Sequence, residues 1–429
     1  MLDIELFRNN LEEIIKSEEK RFKDPSIAEK VLDFDKKWRT SLQEIEELRK
    51  KRNEISLKIG EFKKAGDTVK ADESIAKSKQ IKDKIDEIEK LRIEYLEQRE
   101  KFRYMVGNIL HESVPRGETE EKNEILRTVG SIPKFDFKPL SHVDLVTKIG
   151  GVDTKKASEI VGSRFFYLKG DLVLLNLALL KFALEKLIKK DYLPMWTPFF
   201  TKHEVMKAAA ELADFEDQLY KIQDEDLYMI ATSEQTIAAY HYNEIIDPER
   251  LPLKYAGISS CFRREAGSHG KDTLGIFRVH RFEKVEQFIF SKPEDSWNHF
   301  EELIINAEEL YKELKIPYRI ANIASGELND NAAKKYDLEA WFPASETYRE
   351  LVSCSNCLDY QARKLKIRMG KVGSQQPKEV LHTLNATAIA TERTITCILE
   401  NYQNKDYSIT IPEVLQKYMN GKKIIKPLK

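Results

Sequence analysis

Residues 262–272 read FRREAGSHGKD and residues 277–288 read FRVHRFEKVEQF, and the two segments decide the fold of the larger part of the chain. They predict a strand, a glycine-bearing loop and a second strand. Cys261, Arg263 and Glu265 alternate before the loop, so we expect them on one face of the first strand.

Charged and aromatic side chains follow the same pattern after the loop. Arg278 precedes Phe282, and Lys284 and Glu286 then alternate along the second strand. Arginines on neighbouring strands form a fork that suits a polyphosphate, and a phenylalanine beside them offers a stacking face for a base. A surface β-hairpin with exposed salt bridges fits these residues equally well.

Upstream of these strands lies a long proline-free region, residues 27–109. Apolar side chains recur there at heptad spacing, which predicts a seam between two facing helices. A turn is expected at residues 64–67 (KAGD), so the simplest structure is an antiparallel helical hairpin with arms of about 57 Å. The seam positions are Ile45, Leu48, Arg52, Ile55, Ile59 and Phe62, and then Ile81, Ile88, Tyr95, Phe102 and Ile109.

The 429 residues are too many for one core, and we expect an α+β protein of two domains. Residues 1–110 form the helical domain, with a short helix over residues 1–24 near the base of the hairpin. Prolines and glycines mark residues 111–140 as a connector, and residues 141–429 mix strands with amphipathic helices.

Several classes of protein are excluded. The longest apolar stretch, residues 172–187, is interrupted by Asn176, Lys181 and Glu185, and the N-terminus has no signal-peptide pattern. We therefore expect a soluble, cytosolic protein with no membrane partner. The Cys354–Cys357 pair could form half a zinc site or a redox pair, but buried thiols are the favoured interpretation.

Lysines and arginines are concentrated along the hairpin, although the formal net charge of the chain is −1. They fit either the solvated outer face of a coiled coil or a surface that follows a phosphate backbone. Composition alone does not separate these two alternatives.

Residues 262–288 resemble motif 2 of class II aminoacyl-tRNA synthetases, in the form found in the seryl-tRNA synthetase family. Residues 180–198 resemble motif 1, in which a helix leads to a strand and a proline at a dimer interface. Residues 232–234 (TSE) resemble the element that contacts serine, residues 348–356 the metal- and ATP-contacting strand, and residues 385–403 motif 3. The resemblance covers nearly the whole chain, including the hairpin, which is that family's tRNA-binding arm.

The resemblance implies a class II catalytic domain, built on an antiparallel β-sheet flanked by helices, with an ATP site. Arg263, Arg278 and Arg393 match the arginines that hold the phosphates, Glu265 matches the residue near the adenine amino group, and Phe282 matches the stacking ring. Glu350 and Ser353 match the positions that hold Mg²⁺ through ATP. The full set implied for ATP is Arg263, Arg264, Glu265, Arg278, Val279, Phe282, Glu350, Leu351, Val352, Ser353 and Arg393.

A pocket for the amino acid is implied in the same way. Carboxylates suit an ammonium group, and hydroxyl and amide groups suit the serine hydroxyl. The implied positions are Thr232, Ser233, Glu234, Arg263, Glu286, Asn385 and Thr387. No zinc is expected, because the chain resembles the common branch of the family that binds serine without it. One departure is Arg281, which stands where many relatives carry glutamine.

The activity that the resemblance implies is that of a homodimeric serine–tRNA ligase. It would activate L-serine with ATP and transfer the seryl group to the 3′ end of tRNA(Ser); the resemblance allows tRNA(Sec) as a second acceptor. The alternatives are a catalytically inactive paralogue that only binds tRNA, a relative that charges another acceptor, and a structural coiled-coil protein. The three motif arginines argue against the first alternative, the long arm against the second, and the roughly 300 residues beyond the arm against the third.

Overall fold

The computed structural model describes residues 1–209, 216–265, 274–371, 373 and 378–428. The chain divides into two compact units. One unit is Leu2–Ile109; the other contains Met1 and Leu110–Lys429.

The first unit is a long helical hairpin, as the heptad pattern predicts. Ile45, Ile85 and Ile88 are buried in the seam between its two long helices. At the tip, Gly66 takes a φ of 74°, and the Asp67 side chain caps the second helix by accepting from the backbone N–H of Lys70. The helices of this unit are α1 (Ile4–Asn9), α2 (Leu11–Lys20), α3 (Ser26–Lys64) and α4 (Thr68–Met105).

The start of the chain differs in one respect from the expectation. Residues 1–24 contain two helices instead of one, because Asn10 leaves helical geometry with φ −135° and ψ 40°. Its backbone N–H still bonds to the carbonyl of Leu6, so it closes α1 before α2 begins.

The second unit is built on an eight-stranded sheet with helices packed against it. The helices are α5 (His142–Lys148), α6 (Thr154–Ile160), α7 (Asp171–Ile188), α8 (His203–Ala209), α9 (Ser233–Ala238), α10 (Ser296–Glu313), α11 (Tyr360–Lys364), α12 (Thr391–Asn401) and α13 (Glu413–Gln416). The strands are β1 (Glu124–Val129), β2 (Val152–Asp153), β3 (Tyr167–Leu168), β4 (Leu193–Trp196), β5 (Phe200–Lys202), β6 (Leu227–Met229), β7 (Ile245–Ile246), β8 (Leu253–Phe262), β9 (Arg281–Ser291), β10 (Tyr318–Asn322), β11 (Lys334–Phe342), β12 (Thr347–Asn356), β13 (Arg368–Met369), β14 (His382–Ala390), β15 (Ile409–Thr410) and β16 (Ile424–Ile425).

The strands of the large sheet run in the order β1-β10-β11-β12-β14-β9-β8-β4. Every neighbouring pair is antiparallel except β4 with β8, which is parallel. Apolar side chains of the sheet and of α7, α10 and α12 form one large core. This arrangement confirms the expected α+β fold with its antiparallel sheet. Strand β1 belongs to the sheet although it lies in residues 111–140, which the sequence marked as a connector.

Two irregularities in the sheet change which side chains share a face. In β12, Val352 pairs with Leu338 and Glu350 pairs with Glu339, so Leu351 is an extra residue. Ala388 is the extra residue of β14, because Thr387 pairs with Glu286 while Ile389 pairs with Val285. β-Bulges of this kind redirect side chains and are common beside active sites.

The predicted strand–loop–strand segment is present, with one correction. Strand β8 ends at Phe262, and Glu265 has a φ of 49°, so Cys261, Arg263 and Glu265 do not continue one regular strand face. The glycine-bearing part of the loop, residues 266–273, lies outside the described residues.

Two further expectations concern the cysteines and membrane crossing. All four cysteines are buried and none forms a disulfide bond, as expected of buried thiols at Cys354 and Cys357. In the described part of the chain, no helix combines the length and the apolar character that crossing a membrane requires.

Candidate active site

A cavity of about 310 Å³ opens on the face of the large sheet. The strands that line it are β9, β11, β12 and β14, together with the segment after β8 and the first turns of α9 and α12. Its walls are strongly charged. The charged lining residues are Glu234, Arg263, Glu265, Arg278, Lys284, Glu286, Lys335, Glu350, Glu392 and Arg393.

Three arginines that are far apart in sequence meet in this cavity: Arg263, Arg278 and Arg393. Arg393 donates from Nη1 to the backbone carbonyl of Glu350 at 3.1 Å, and Nη1 lies 3.5 Å from the carboxylate oxygen Oε2 of the same residue. Arg278 lies 3.8 Å from the Glu265 carboxylate. Guanidinium groups from three elements can therefore surround one polyphosphate.

The backbone of Arg263 is fixed by His280. The two residues bond across the ends of the hairpin, since the N–H of Arg263 donates to the His280 carbonyl at 2.9 Å. The His280 ring nitrogen Nδ1 lies 2.8 Å from the Arg263 carbonyl and 2.9 Å from the Tyr220 hydroxyl. The ring also stacks on Phe165.

The guanidinium of Arg263 extends along the cavity wall from this fixed backbone. Its carbon lies 5.0 Å from the ring centroid of Phe282, and its Nε donates to the Ala231 carbonyl at 3.4 Å. Phe282 and Val279 line the same wall, together with Glu265. The residues that the resemblance implies for adenine, Glu265 and Phe282, thus both line this cavity.

Glu350 and Ser353 both line the cavity although they are three residues apart. In a regular strand they would point to opposite faces, and the bulge at Leu351 brings them to the same one. Desolvation at the cavity wall acts to raise the pKa of Glu350, but the charges of Arg393, Lys335 and Arg263 hold it below its usual value. An ionised carboxylate beside a hydroxyl fits Mg²⁺, which prefers oxygen ligands shared with phosphates.

A second carboxyl, that of Asp337, lies on β11, opposite Ser353 of β12. Burial raises the pKa of Asp337 to about 7, and the neighbouring Glu350 acts in the same direction. Lys335 lies 3.5 Å from Asp337 and lines the cavity. The positive and negative groups here are close enough to neutralise one another in part.

The predicted amino acid pocket also lies in the cavity. Thr232 caps α9 by accepting from the backbone N–H of Glu234 at 3.2 Å, so its helix-capping role and its place in the cavity wall coexist. Glu234 accepts from Asn385 Nδ2 at 3.1 Å. The bulge at Ala388 does not disturb Asn385 and Thr387, which alternate on the cavity face of β14.

Glu286 lies at the floor of this pocket and forms a buried ion pair with Lys284. Burial raises the pKa of the Glu286 carboxyl, and Lys284 offsets part of that effect. A carboxylate in this setting can bind an ammonium group, since burial strengthens the attraction between opposite charges.

Three of the predicted site residues do not line the cavity. Arg264 is exposed, Ser233 is fully buried in α9, and Val352 packs in the main core. Val352 lies in β12 between two residues that face the cavity, so its side chain points to the core. Arg264 lies beyond the end of β8, where its backbone N–H donates to the Gln218 carbonyl at 2.8 Å. The lining residues that sequence reasoning did not select are Ala209, Gln235, Phe277, Lys284, Asn329, Asn331, Lys335, Ser355, Ala390 and Glu392.

The antiparallel sheet with three converging arginines defines a class II aminoacyl-tRNA synthetase core. Residues 218–402 match the tRNA synthetase class II core domain (G, H, P, S and T). Residues 1–110 match the seryl-tRNA synthetase N-terminal domain. The chain belongs to the seryl-tRNA synthetase family, since it is 57% identical to the serine–tRNA ligase of Methanosphaera stadtmanae over 99% of this chain and 100% of that protein.

Two solved structures are similar over nearly their full lengths. Seryl-tRNA synthetase from Pyrococcus horikoshii, complexed with ATP, has a TM-score of 0.95 and 44% identity, and the match covers 100% of both chains. The cytoplasmic serine–tRNA ligase of Naegleria fowleri, in complex with AMP, has a TM-score of 0.89 and 44% identity, covering 100% of this chain and 99% of that one. The seryl-tRNA synthetase resemblance seen in the sequence is therefore confirmed.

Proposed function

We propose that this protein activates L-serine with ATP to form seryl-adenylate and then transfers the seryl group to the 3′ end of tRNA(Ser). The chain is a serine–tRNA ligase by family and by its full-length similarity to such enzymes. The observation that carries the proposed chemistry is the convergence of Arg263, Arg278 and Arg393 on one cavity that also contains an amino acid pocket.

The first step needs positioning and charge neutralisation more than acid–base catalysis. The serine carboxylate is ionised near neutral pH and attacks the α-phosphate of ATP in line, while pyrophosphate leaves. Arg263 would contact both the carboxylate and the α-phosphate, where negative charge accumulates in the transition state. Arg278 and Arg393 would hold the outer phosphates, with the adenine on Phe282 and its amino group near Glu265.

Serine would be bound by the groups around Glu234 and Glu286. The carboxylates suit the ammonium group, and Thr232, Asn385 and Thr387 supply hydroxyl and amide partners at the cavity wall. A site that hydrogen-bonds a substrate hydroxyl rejects alanine strongly, because alanine leaves buried polar groups unpaired. Threonine would be excluded by its additional methyl group.

Glu350 and Ser353 would hold Mg²⁺ together with the ATP phosphates. The ion would neutralise charge on the phosphates, and the low pKa of Glu350 keeps its carboxylate available. We propose no zinc requirement, because the carboxylate, hydroxyl and amide groups that line the amino acid pocket can bind serine without a metal.

We further propose that α3 and α4 bind the acceptor RNA and that the protein acts as a cytoplasmic homodimer. The exposed apolar residues of α7 and β4, among them Leu177, Leu193 and Trp196, suit a subunit interface. Basic residues on the arm, such as Lys50, Lys51 and Lys58, are exposed and can contact phosphates. tRNA(Sec) is a second acceptor to be tested beside tRNA(Ser).

The decisive experiment is serine-dependent exchange of pyrophosphate into ATP by the purified protein, followed by charging of tRNA(Ser) and tRNA(Sec) transcripts. Exchange should require serine and Mg²⁺ and should not proceed with alanine. An inactive tRNA-binding paralogue would bind the transcripts without exchange, and that outcome would overturn the proposal.

A further inference from the structure

Gln361 is a buried polar residue next to the amino acid pocket, and the mechanism above does not use it. It lies on α11 and is 1% exposed. Its side-chain Nε2 donates to Glu234 Oε1 at 2.8 Å. Its Oε1 accepts from the hydroxyl of Thr383 at 2.8 Å.

The direction of this hydrogen-bond chain is set by chemistry. An ionised carboxylate only accepts hydrogen bonds, so the group facing Glu234 must be the amide nitrogen of Gln361. The amide oxygen then faces Thr383, whose hydroxyl can donate to it. The reversed amide would place two acceptor oxygens together in a buried site, which is costly.

The backbone holds the chain of three residues in place. The N–H of Cys357 donates to the Thr383 carbonyl at 3.0 Å, and the N–H of Thr383 donates to the Leu358 carbonyl at 2.9 Å. These two bonds fasten the segment before α11 to strand β14. The backbone position from which the Gln361 side chain reaches Glu234 is therefore fixed.

A second amide meets the same carboxylate oxygen. Asn385 Nδ2 donates to Glu234 Oε1 at 3.1 Å, and the same nitrogen lies 3.6 Å from Cys357 Sγ. Thr383 and Asn385 are two residues apart in β14, so both project from one face of the strand. Two neutral donors on one oxygen fix the rotation of the Glu234 carboxylate.

We propose that Gln361, supported by Thr383, is a positioning residue that orients Glu234 for serine. This inference rests on the proposed function, in which Glu234 contacts serine. Gln361 itself does not line the cavity. Its loss should therefore weaken serine binding, while the residues proposed to bind ATP keep their positions.

The test compares two substitutions of similar volume, Gln361→Glu and Gln361→Met, in serine-dependent ATP–pyrophosphate exchange. Gln361→Glu places an acceptor against Glu234, so we expect the KM for serine to rise at least tenfold. Gln361→Met only removes the donor, so we expect the KM for serine to rise about threefold. In both variants the KM for ATP should stay within twofold of the wild-type value.

Thr383→Val provides a variant with almost unchanged volume if Gln361→Glu does not fold, and it should raise the KM for serine about twofold to threefold. Equal changes in the KM values for serine and ATP, or an equal effect of the Glu and Met substitutions, would show a merely structural role and overturn the inference.

Crystal structures separate this inference from the proposed function. In Gln361→Glu, or in Gln361→Met if the first variant does not fold, Glu234 should leave its position beside Asn385. An unmoved carboxylate would overturn the positioning role even in an active enzyme. A wild-type protein without serine-dependent exchange would overturn the proposed function instead, and a displaced Glu234 would then still establish that Gln361 orients this carboxylate.

Discussion

Arg393 holds Glu350 at two points: its Nη1 donates to the Glu350 carbonyl at 3.1 Å and lies 3.5 Å from the carboxylate oxygen Oε2. A proposed phosphate ligand from motif 3 is thereby joined to a proposed Mg²⁺ ligand from β12. Desolvation acts to raise the pKa of Glu350, and of the charges that lower it, Arg393 has the largest effect. Phosphate binding by Arg393 and Mg²⁺ binding by Glu350 are therefore coupled.

Replacing Arg393 with Ala should lower the rate of pyrophosphate exchange at least 100-fold, because a contact to charge in the transition state contributes about 3–4 kcal/mol. The Mg²⁺ concentration for half-maximal exchange should also rise, since Glu350 loses its strongest counter-charge. A Mg²⁺ titration of the exchange rate measures both effects. Arg349→Ala is the matched control, because Arg349 also lies 5.2 Å from the ring of Phe277 but does not line the cavity.

The contrast between Arg263 and Arg264 tests which side chain of the segment after β8 serves the phosphate site. Arg263→Ala should reduce exchange by two or more orders of magnitude, and Lys should restore only part of the loss because a point charge cannot reproduce a planar fork. Arg264 is exposed and outside the cavity lining, so Arg264→Ala should cost much less. Pyrophosphate-exchange rates are measured for both variants, with thermal melts to confirm that they fold. Equal losses of rate at the two positions would mean that Arg263 is wrongly assigned to the phosphate site.

The sequence predicted the helical arm and the elements of the site better than it predicted side-chain directions. Heptad spacing is a long-range signal that predicted the two facing helices, and the KAGD segment at residues 64–67 predicted the turn between α3 and α4. The bulges at Leu351 and Ala388 carry no such signal, because neither residue is a glycine or a proline. Simple alternation would have put Glu350 and Ser353 on opposite faces, and only the family resemblance grouped them.

The contacts of Gln361 show a second limit of prediction from the sequence. Gln361 and Glu234 are separated by 127 residues, and α11 is only five residues long. No local pattern connects a short helix after the Cys354–Cys357 pair with a carboxylate on α9. Such a contact follows from the order of strands in the sheet, which brings β12 beside β14.

The arm should be required for tRNA charging and not for serine activation. Deleting residues 30–105 should leave serine-dependent exchange largely intact, since every residue lining the cavity lies after residue 208. Charging of tRNA(Ser) should collapse, because the basic outer face of α3 and α4 is lost. A folded truncation that charges tRNA at near-normal efficiency would contradict the assignment of the arm.

The oligomeric state can be tested at the exposed face of β4. Sedimentation at micromolar concentration should give twice the monomer mass of 50.0 kDa. Trp196 is 76% exposed, and Trp196→Glu should shift the protein towards the monomer because a charge would be buried in the interface. Leu57→Glu, at a residue on the arm that is 71% exposed, is the control and should leave the dimer intact. A fully active wild-type monomer would refute the dimer.

Glu392 should make the stability of the catalytic unit depend on pH. Burial raises the pKa of its carboxyl to about 7, while its Oε2 accepts from the backbone N–H of Glu283 and the hydroxyl of Thr391, both at 2.8 Å. Because the folded protein holds this proton more tightly than the unfolded chain, the stability contribution is complete below the usual value of 4.5 and is lost as pH rises through 7. Glu392→Gln keeps an acceptor oxygen and cannot ionise. Relative to the wild type, the variant should gain stability between pH 5 and pH 8, by up to about 3 kcal/mol. Unfolding of both proteins across this range measures the difference, and a constant difference would show that Glu392 does not titrate there.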